Sequence, residues 1–470
     1  MDYLKTFAPE NQIFQPITDW NDRFLKIAKN EATEEVFIAY YRDSVEAKNF
    51  RIRIPVDEKT WHERKVIKYL KTYVYNRAWA IGASRILVNC HSKLYEQIQT
   101  PFMATDGEYH HMASFMTKVY EQPFMIQWVP KEDIERMAST QVTAQQYSPK
   151  KGARIGVDLG GSDIKVVALL DGELKYYQKR NWSPKTFTDA EQHLTVVSDM
   201  ISTAQRESGL KTLDGIGIST AGVVVDSRIV ISGLCMGLSE KHFREKITHM
   251  GEIIKKRFAG VDVDVAHDGD VAALWAYVEM NLGNVLGLAL GTGLGAGFVD
   301  KNGHITGFLC EIGKSLIDMS DRAPEHIYYH TRGPALHYLS QNAAFRLATE
   351  KDIEVNHIKE PAEKLRYIQK LAEEGNSGAI ELFEMIGYYL AVAVVEFYDY
   401  FGMEHVVLFG RVTTGIAGEI LFSRAKQVLE NKFNDFAGKI QLHLPTTHKM
   451  NANISREFGQ AIAAAYLSSI

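Results

Sequence analysis

A short apolar run that ends in a carboxylate and then in bare backbone, Ile155-Gly-Val-Asp-Leu-Gly-Gly-Ser-Asp-Ile-Lys165, constrains this chain more than any other stretch. An alternating apolar segment from Ile164 to Leu170 follows. Asp171-Gly172 is a hairpin turn signal, and Glu173 to Gln178 supplies a returning strand. The layout predicts strand, tight glycine turn, strand. Glycine has no Cβ, so backbone N–H groups at Gly160 and Gly161 approach an anion closely, and the Ser162 hydroxyl adds a donor. Asp158 would repel phosphate there unless a cation lay between them, which implies Mg²⁺. The stretch reads as half of a nucleotide site.

A second loop, Leu290-Gly-Thr-Gly-Leu-Gly-Ala-Gly297, also follows an apolar run, Val285 to Leu290, and precedes another, Phe298-Val299. Lys301-Asn302-Gly303 supplies a second hairpin turn. A dinucleotide fingerprint would open a helix, whereas here a strand and a turn follow. No glycine loop ends in Gly-Lys-Ser or Gly-Lys-Thr, so the Walker-type phosphate loop is absent too. Two strand–glycine–strand units this far apart predict two similar lobes clamping one phosphate chain.

Taken in order, these pieces resemble the ROK group (repressors, open reading frames and kinases) within the actin, Hsp70 and hexokinase superfamily. Asp158-Leu-Gly-Gly-Ser-Asp-Ile-Lys165 is similar to that group's first phosphate motif. Gly215-Ile-Gly-Ile-Ser-Thr-Ala-Gly222, followed by Asp226, is similar to its sugar-side loop. His267-Asp-Gly-Asp-Val-Ala-Ala273 resembles the segment whose first Asp is the catalytic base, here Asp268. Gly291 to Gly297 resembles the second phosphate motif, and Gly307 to Gly313 the loop with a sugar-binding Glu, here Glu311. The strand Val406-Val-Leu-Phe-Gly410 and the helix before it resemble the adenosine motif.

The resemblance implies an α/β, two-lobed actin/hexokinase-like (ribonuclease H-like) fold, to which the residue patterns before it add an N-terminal α/β region. It implies an ATP-dependent sugar kinase whose lobes close over the substrate. Asp268 would be the base. Asp158, Gly160, Gly161, Ser162, Lys165, Gly291, Thr292, Gly293 and Gly410 would hold ATP, and Mg²⁺ would sit near Asp158 through water. Thr220, Ala221, Gly222 and Glu311 would face the sugar. The boundaries expected are 1–150 for the N-terminal region, 151–284 for the first lobe, 285–454 for the second, and 455–470 for a helix returning to the first.

The departures from the pattern concern the sugar. Lys314 stands where the group has a zinc-binding histidine in Gly-Glu-x-Gly-His, and the downstream cysteine cluster is missing, so no zinc is expected. The Asn usually offered to the sugar is replaced near Gly233. A second sugar-binding Glu aligns roughly with Tyr328, with Glu325 close by. Losing polar partners in such a pocket changes selectivity strongly, so glucose is not the expected acceptor. The rival expectation is a catalytically weak, sugar-sensing regulator of the same group. No helix-turn-helix is legible before Lys151.

Composition bounds the rest. The 470 residues hold about three domains' worth of sequence. A net charge of −5 gives no electrostatic case for nucleic acid or an anionic membrane as main partner. Cys90, Cys235 and Cys310 are far apart, which favours a reducing compartment, and no signal-peptide pattern opens the chain. A cytoplasmic protein with a small-molecule sugar substrate is expected, and a homodimer is compatible. Before a polar linker, Thr140 to Lys151, the alternation of Phe50 to Val56 predicts a strand. Trp61 to Ile81 reads as a helix and Arg85 to Asn89 as another strand. His110-His111 reads as a packing or surface pair, because adjacent helical residues diverge. Asp270 reads as a helix N-cap, and Met385 to Phe401 as a buried helix.

Overall fold

The computed structural model describes residues 14–42, 45–137, 151–445 and 452–467. All of the expected linker except Lys151 lies outside the described residues. The chain divides into two compact units. One joins the described residues of Met1–Val142 with Leu288–Ala296 and Phe308–Leu444. The other takes those of Thr143–Gly287, Gly297–Gly307 and Pro445–Ile470.

The N-terminal part of the first unit runs α1 (Ile17–Asn30), β1 (Thr33–Arg42), β2 (Val45–Pro55), α2 (Val66–Ile81), β3 (Arg85–Asn89), α3 (Ser92–Met103), α4 (His110–Tyr120), β4 (Met125–Trp128) and α5 (Lys131–Met137). Its sheet has the order β2-β1-β3-β4. The central strand β1 is buried from Val36 to Tyr41, as a strand covered on both faces must be. Helix α2 starts later than its apolar spacing predicts. Trp61 is instead held in the preceding turn by its indole N–H, which donates to the Pro55 carbonyl at 2.9 Å. Lys65 then takes a left-handed φ of 53° before the helix begins.

This segment shares a core with later residues of its unit. The Ile17 amide donates to the Ile317 carbonyl at 3.0 Å, and Met319 donates back to Gln15 at 2.8 Å. The buried Arg77 guanidinium of α2 pairs with Asp399 and lies 3.9 Å from Glu396. Glu396 also accepts from Asn21 of α1 at 2.6 Å and from the Tyr400 hydroxyl at 2.7 Å. Burial raises the Glu396 pKa against the pull of Arg77. A charge network of this kind holds only while every member is partnered.

The second unit is built on β5 (Ala153–Leu159), β6 (Asp163–Leu170), β7 (Glu173–Asn181), α6 (Ala190–Ser208), β8 (Gly215–Thr220), the hairpin β9 (Val223–Val225) and β10 (Arg228–Ile231), and β11 (Val263–His267). The sheet order is β11-β8-β5-β6-β7, with β5, β8 and β11 parallel and β6 and β7 antiparallel. Between β10 and β11 the helical segment is interrupted. Helix α7 (Glu240–His242) passes into a π-helical stretch, Phe243–Ile247, before α8 (Met250–Arg257). Ile155, Val157 and Leu159 face a core with Val197, Met200, Ile201 and Ile218.

On the opposite face, Gly156 and Gly217 carry no side chain because another helix lies on them. A Cβ at Gly156 would meet the Ala461 carbonyl at 1.8 Å, and one at Gly217 the Ala464 carbonyl at 1.6 Å. After α9 (Asp268–Met280) come β12 (Val285–Leu290), β13 (Leu294–Val299), α10 (Gln341–Glu350), α11 (Pro361–Glu373), α12 (Ser377–Phe401), β14 (His405–Phe409), α13 (Gly415–Lys432), α14 (Asn434–Ala437) and β15 (Gln441–His443). The helix lying on Gly156 and Gly217 is the last, α15 (Ala452–Ala464). Strands β12 to β15 form a sheet of order β13-β12-β14-β15. By length and composition α12 could cross a membrane, but it is buried along most of its length and contributes Glu396 to the network above. It is a core helix.

Candidate functional site

Three parallel strands of the second unit end at one edge. Their register pairs Leu159 with Thr220 and Thr220 with His267. The chain therefore leaves them at adjacent points as Gly160 to Ser162, Ala221-Gly222 and Asp268. The carboxyl edge of an open parallel sheet is where ligands bind in such folds, because loops converge there and backbone groups are free of the ladder.

Asp158 lies just inside that edge. Its buried carboxyl is pushed up in pKa by desolvation, against the pull of Lys165, whose Nζ is 3.2 Å away. Lys165 comes from the facing position of β6 and also lies 3.0 Å from Asp163. Burial alone would lower the Lys165 pKa, but Asp158 and Asp163 raise it. Lys165 thus places a cation of the chain itself beside Asp158 at the glycine turn. The glycine turn is fixed from behind by Trp182, which sequence reasoning missed. Its indole N–H donates to the Gly160 carbonyl at 2.8 Å and its amide to the Ser162 carbonyl at 3.1 Å. A cavity of about 580 Å³ opens beside Gly161 and Ser162 and is walled by Trp182 and Lys185. No motif announces Trp182; only the pairing of β6 with β7, which ends at Asn181, brings it there.

Asp268 is the first residue of α9, with 44% of its side chain exposed and its carboxylate 2.9 Å from His267 Nε2. Asp270 is not the N-cap that the sequence suggested, because His267 occupies that position. Asp270 is buried in the first turn and accepts the Phe298 amide of β13 at 3.2 Å. Burial pushes its pKa up to about 6. The contact needs Gly297, where a Cβ would lie 2.1 Å from the Gly269–Asp270 backbone. In the sugar-side loop, Thr220 is buried and the Ala221 carbonyl accepts the Ser232 hydroxyl at 3.1 Å. Gly222 packs on the Ile231 backbone. Asp226 forms the turn between β9 and β10 with Ser227.

The first unit holds the other candidates. The Gly291 amide donates to Gly293 at 3.0 Å, closing a tight turn that contains Thr292. The Gly291 carbonyl accepts the amide of Gln341, the first residue of α10, at 2.9 Å. Gly410 adjoins this loop for a backbone reason. Its φ is +97°, and a Cβ would lie 2.3 Å from the Leu290 carbonyl. Packing against Leu290 by itself therefore requires a glycine at this position.

Glu311 opens a 3-10 turn, Ile312–Lys314, and its carboxylate is paired with Lys314. Glu325 is engaged by Arg332 at 2.6 Å and His330 at 2.9 Å, and Tyr328 is 77% exposed. His111 stacks on Tyr329 with ring centroids 4.6 Å apart, and its Nε2 is 3.1 Å from the Tyr75 hydroxyl. Among the described residues no group of three or more His, Cys, Asp or Glu side chains is placed to hold a metal ion. Asp158, with Ser219 hydrogen-bonded to it, nevertheless fits Mg²⁺ that arrives on a nucleotide, since that ion needs only one or two carboxylates besides phosphates.

Comparison with known proteins gives the following. A family model described as the ROK family matches residues 154–450. An N-acetyl-D-glucosamine kinase of Haemophilus influenzae is 27% identical over 153 residues, covering 32% of this chain and 46% of the relative. A xylose repressor of Staphylococcus xylosus is 28% identical over 146 residues, covering 29% and 35%. The chain thus spans less than half the length of these curated relatives. The ROK hexokinase of Thermus thermophilus superposes with a TM-score of 0.50 at 19% identity, covering 67% of this chain and 97% of that one, a likeness of fold.

Proposed function

The chain belongs to the ROK family, and on that premise we propose that it transfers the γ-phosphoryl group of ATP to a hydroxyl of a sugar or sugar derivative. The observation that carries this reading is the shared edge of β5, β8 and β11, from which Asp158, Thr220 to Gly222 and Asp268 emerge together. A sugar hydroxyl is a poor nucleophile near neutral pH. Asp268, held by His267 and open to solvent, takes its proton as the oxygen attacks, a contribution of roughly 10²–10⁴-fold.

The N–H groups of Gly161 and Ser162 hold phosphate oxygens, while the Gly160 amide is committed to the Asp163 carbonyl at 3.0 Å and Trp182 keeps that turn in shape. Thr292 and Gly293 act on the phosphates in the same way, the Gly291 amide being committed to closing its turn, with Gly410 beside the adenosine. Lys165 offsets the negative charge that Asp158 brings to the turn beside the phosphates. Mg²⁺ bound near Asp158 neutralises charge on the β- and γ-phosphates when present. Thr220, Ala221, Gly222 and Glu311 orient the acceptor.

Acceptor-dependent ADP release, measured across a panel of sugars, tests the reading. Asp268→Asn should retain nucleotide binding and lose turnover by at least roughly 10²-fold. Equal turnover in wild type and variant would refute the assignment of the base. A second reading, a sugar-sensing regulator with little catalysis, draws on the carboxylate of Glu311 being already paired with Lys314 and on the match to a repressor. Tight binding of one sugar without ADP release from any would favour it.

A further inference from the structure

The N-terminal segment has no counterpart in the match to residues 154–450, yet it builds the surroundings of Glu311. The last carbonyls of a helix have no partner inside it and must find one elsewhere. In α2 three of them are met by the acceptor loop: Leu309, Cys310 and Glu311 donate to Ile81, Ala80 and Trp79 at 3.2, 2.9 and 3.0 Å. The loop is therefore laid along the end of α2. Its side chains continue the contact. Lys314 Nζ lies 4.7 Å from the centroid of the Trp79 ring and 5.4 Å from that of Phe115, which is on α4. The two rings pack at 4.9 Å, and Trp79 is fully buried. The lysine is 15% exposed and the glutamate it holds 27%.

We propose that Lys314 is a positioning residue for the acceptor, seated on Trp79 and Phe115 so that it fixes the carboxylate of Glu311. Residues of the N-terminal segment thereby set acceptor selectivity. The inference rests on the kinase reading for the role of Glu311, and it goes further in two respects. It makes the N-terminal segment part of the acceptor half, and it names an acceptor class. The ammonium is directed to a carboxylate and two ring faces, so it offers little to an acidic group on the substrate. The carboxylate, its charge balanced, accepts hydroxyl hydrogen bonds. The class that fits is a neutral polyhydroxylated sugar, disfavouring sugar acids and sugar phosphates.

The experiment uses the full chain with neutral sugars, sugar acids and sugar phosphates as acceptors in the ADP-release assay. Lys314→Met should raise the acceptor KM by about tenfold, the factor that corresponds to roughly 1.4 kcal/mol, with kcat and the KM for ATP nearly unchanged. Lys314→Arg should recover most of the loss, since a guanidinium stacks on rings and pairs with a carboxylate. In a Glu311→Gln background the methionine substitution should add little.

An unchanged acceptor KM in Lys314→Met would overturn the proposal. So would a parallel rise in the KM for ATP, which marks general damage to the fold, or a wild-type preference for sugar acids. If wild type releases no ADP with any sugar, the kinase reading fails separately. Calorimetric binding of the same panel then decides the inference: weaker neutral-sugar binding by Lys314→Met sustains it, and no neutral-sugar binding by wild type ends it.

Discussion

Replacing Trp182 by Phe tests whether the first glycine turn is a phosphate loop. The change keeps a ring in the core, where Trp182 meets Phe187 at 6.2 Å and His193 at 6.1 Å edge to face, but removes the N–H that holds the Gly160 carbonyl. The lost hydrogen bond costs about 0.5–1.5 kcal/mol. The smaller ring adds roughly 1 kcal/mol for burial and space. The melting temperature should fall by a few degrees.

The functional consequence is distinct from that loss. With the Gly160 peptide free to rotate, the N–H groups of Gly161 and Ser162 are no longer preorganised, and the Kd for ATP should rise roughly fivefold, about 1 kcal/mol. Sugar binding should not change. Ile201→Val, in the same core but clear of the turn, is the control: it costs about 0.5–1.5 kcal/mol and should leave ATP affinity intact. Calorimetric titration of ATP into both variants reads the difference. If Trp182→Phe melts earlier yet binds ATP as wild type does, the turn does not hold phosphate and the reasoning fails.

Arg77→Met leaves Glu396 and Asp399 without their guanidinium and should destabilise the first unit by about 3–5 kcal/mol, read by urea unfolding. Gly156→Ala places a methyl group against the Ala461 carbonyl; overpacking of this kind costs about 1–3 kcal/mol, and a melting temperature equal to wild type would refute the close packing of α15. His111 and His326 are each lowered to about 4, chiefly by burial, with Lys314 adding to both. The unfolded chain binds those protons first, so their stability contribution is complete above about pH 6.5 and is lost as pH falls towards 4. The His111→Gln, His326→Gln double variant should flatten that part of the melting profile. Comparison with wild type at each pH cancels the opposite trend from Asp270, which is lost as pH rises through about 6.

What the sequence disclosed was local. Asp171-Gly172 turned the chain as expected because both residues take positive φ, and Arg85 to Asn89 formed a strand with the predicted bounds. Of the edge bearing Asp158, Thr220 and Asp268, only Asp158 was legible from an apolar run that becomes a strand; Thr220 and Asp268 were pointed to by the motif resemblance, and strand register brings the three together. Asp270 was misread because N-cap rules see only the residues ahead of a helix. Its partner, the Phe298 amide, is 28 residues away and reaches it only where Gly297 allows.

The N-terminal segment shows why long-range structure stayed hidden. Its helix α2 reads as one buried helix among others, and nothing in Trp79 or Arg77 names a partner. Their partners, Glu311 at the carbonyls, Lys314 at the ring and Asp399 at the guanidinium, come more than 200 residues later. A charged residue on an apolar helix is the one trace that composition leaves of such a contact. Arg77 inside α2 and Glu396 inside α12 are each costly when buried alone and tolerable only together. Paired by that logic, the two helices would have been assigned to one unit from charge alone. The same pairing explains why a segment outside the family match is not an appendage: detaching it would leave Glu396 uncompensated and strip the Glu311 loop of the carbonyls it lies on.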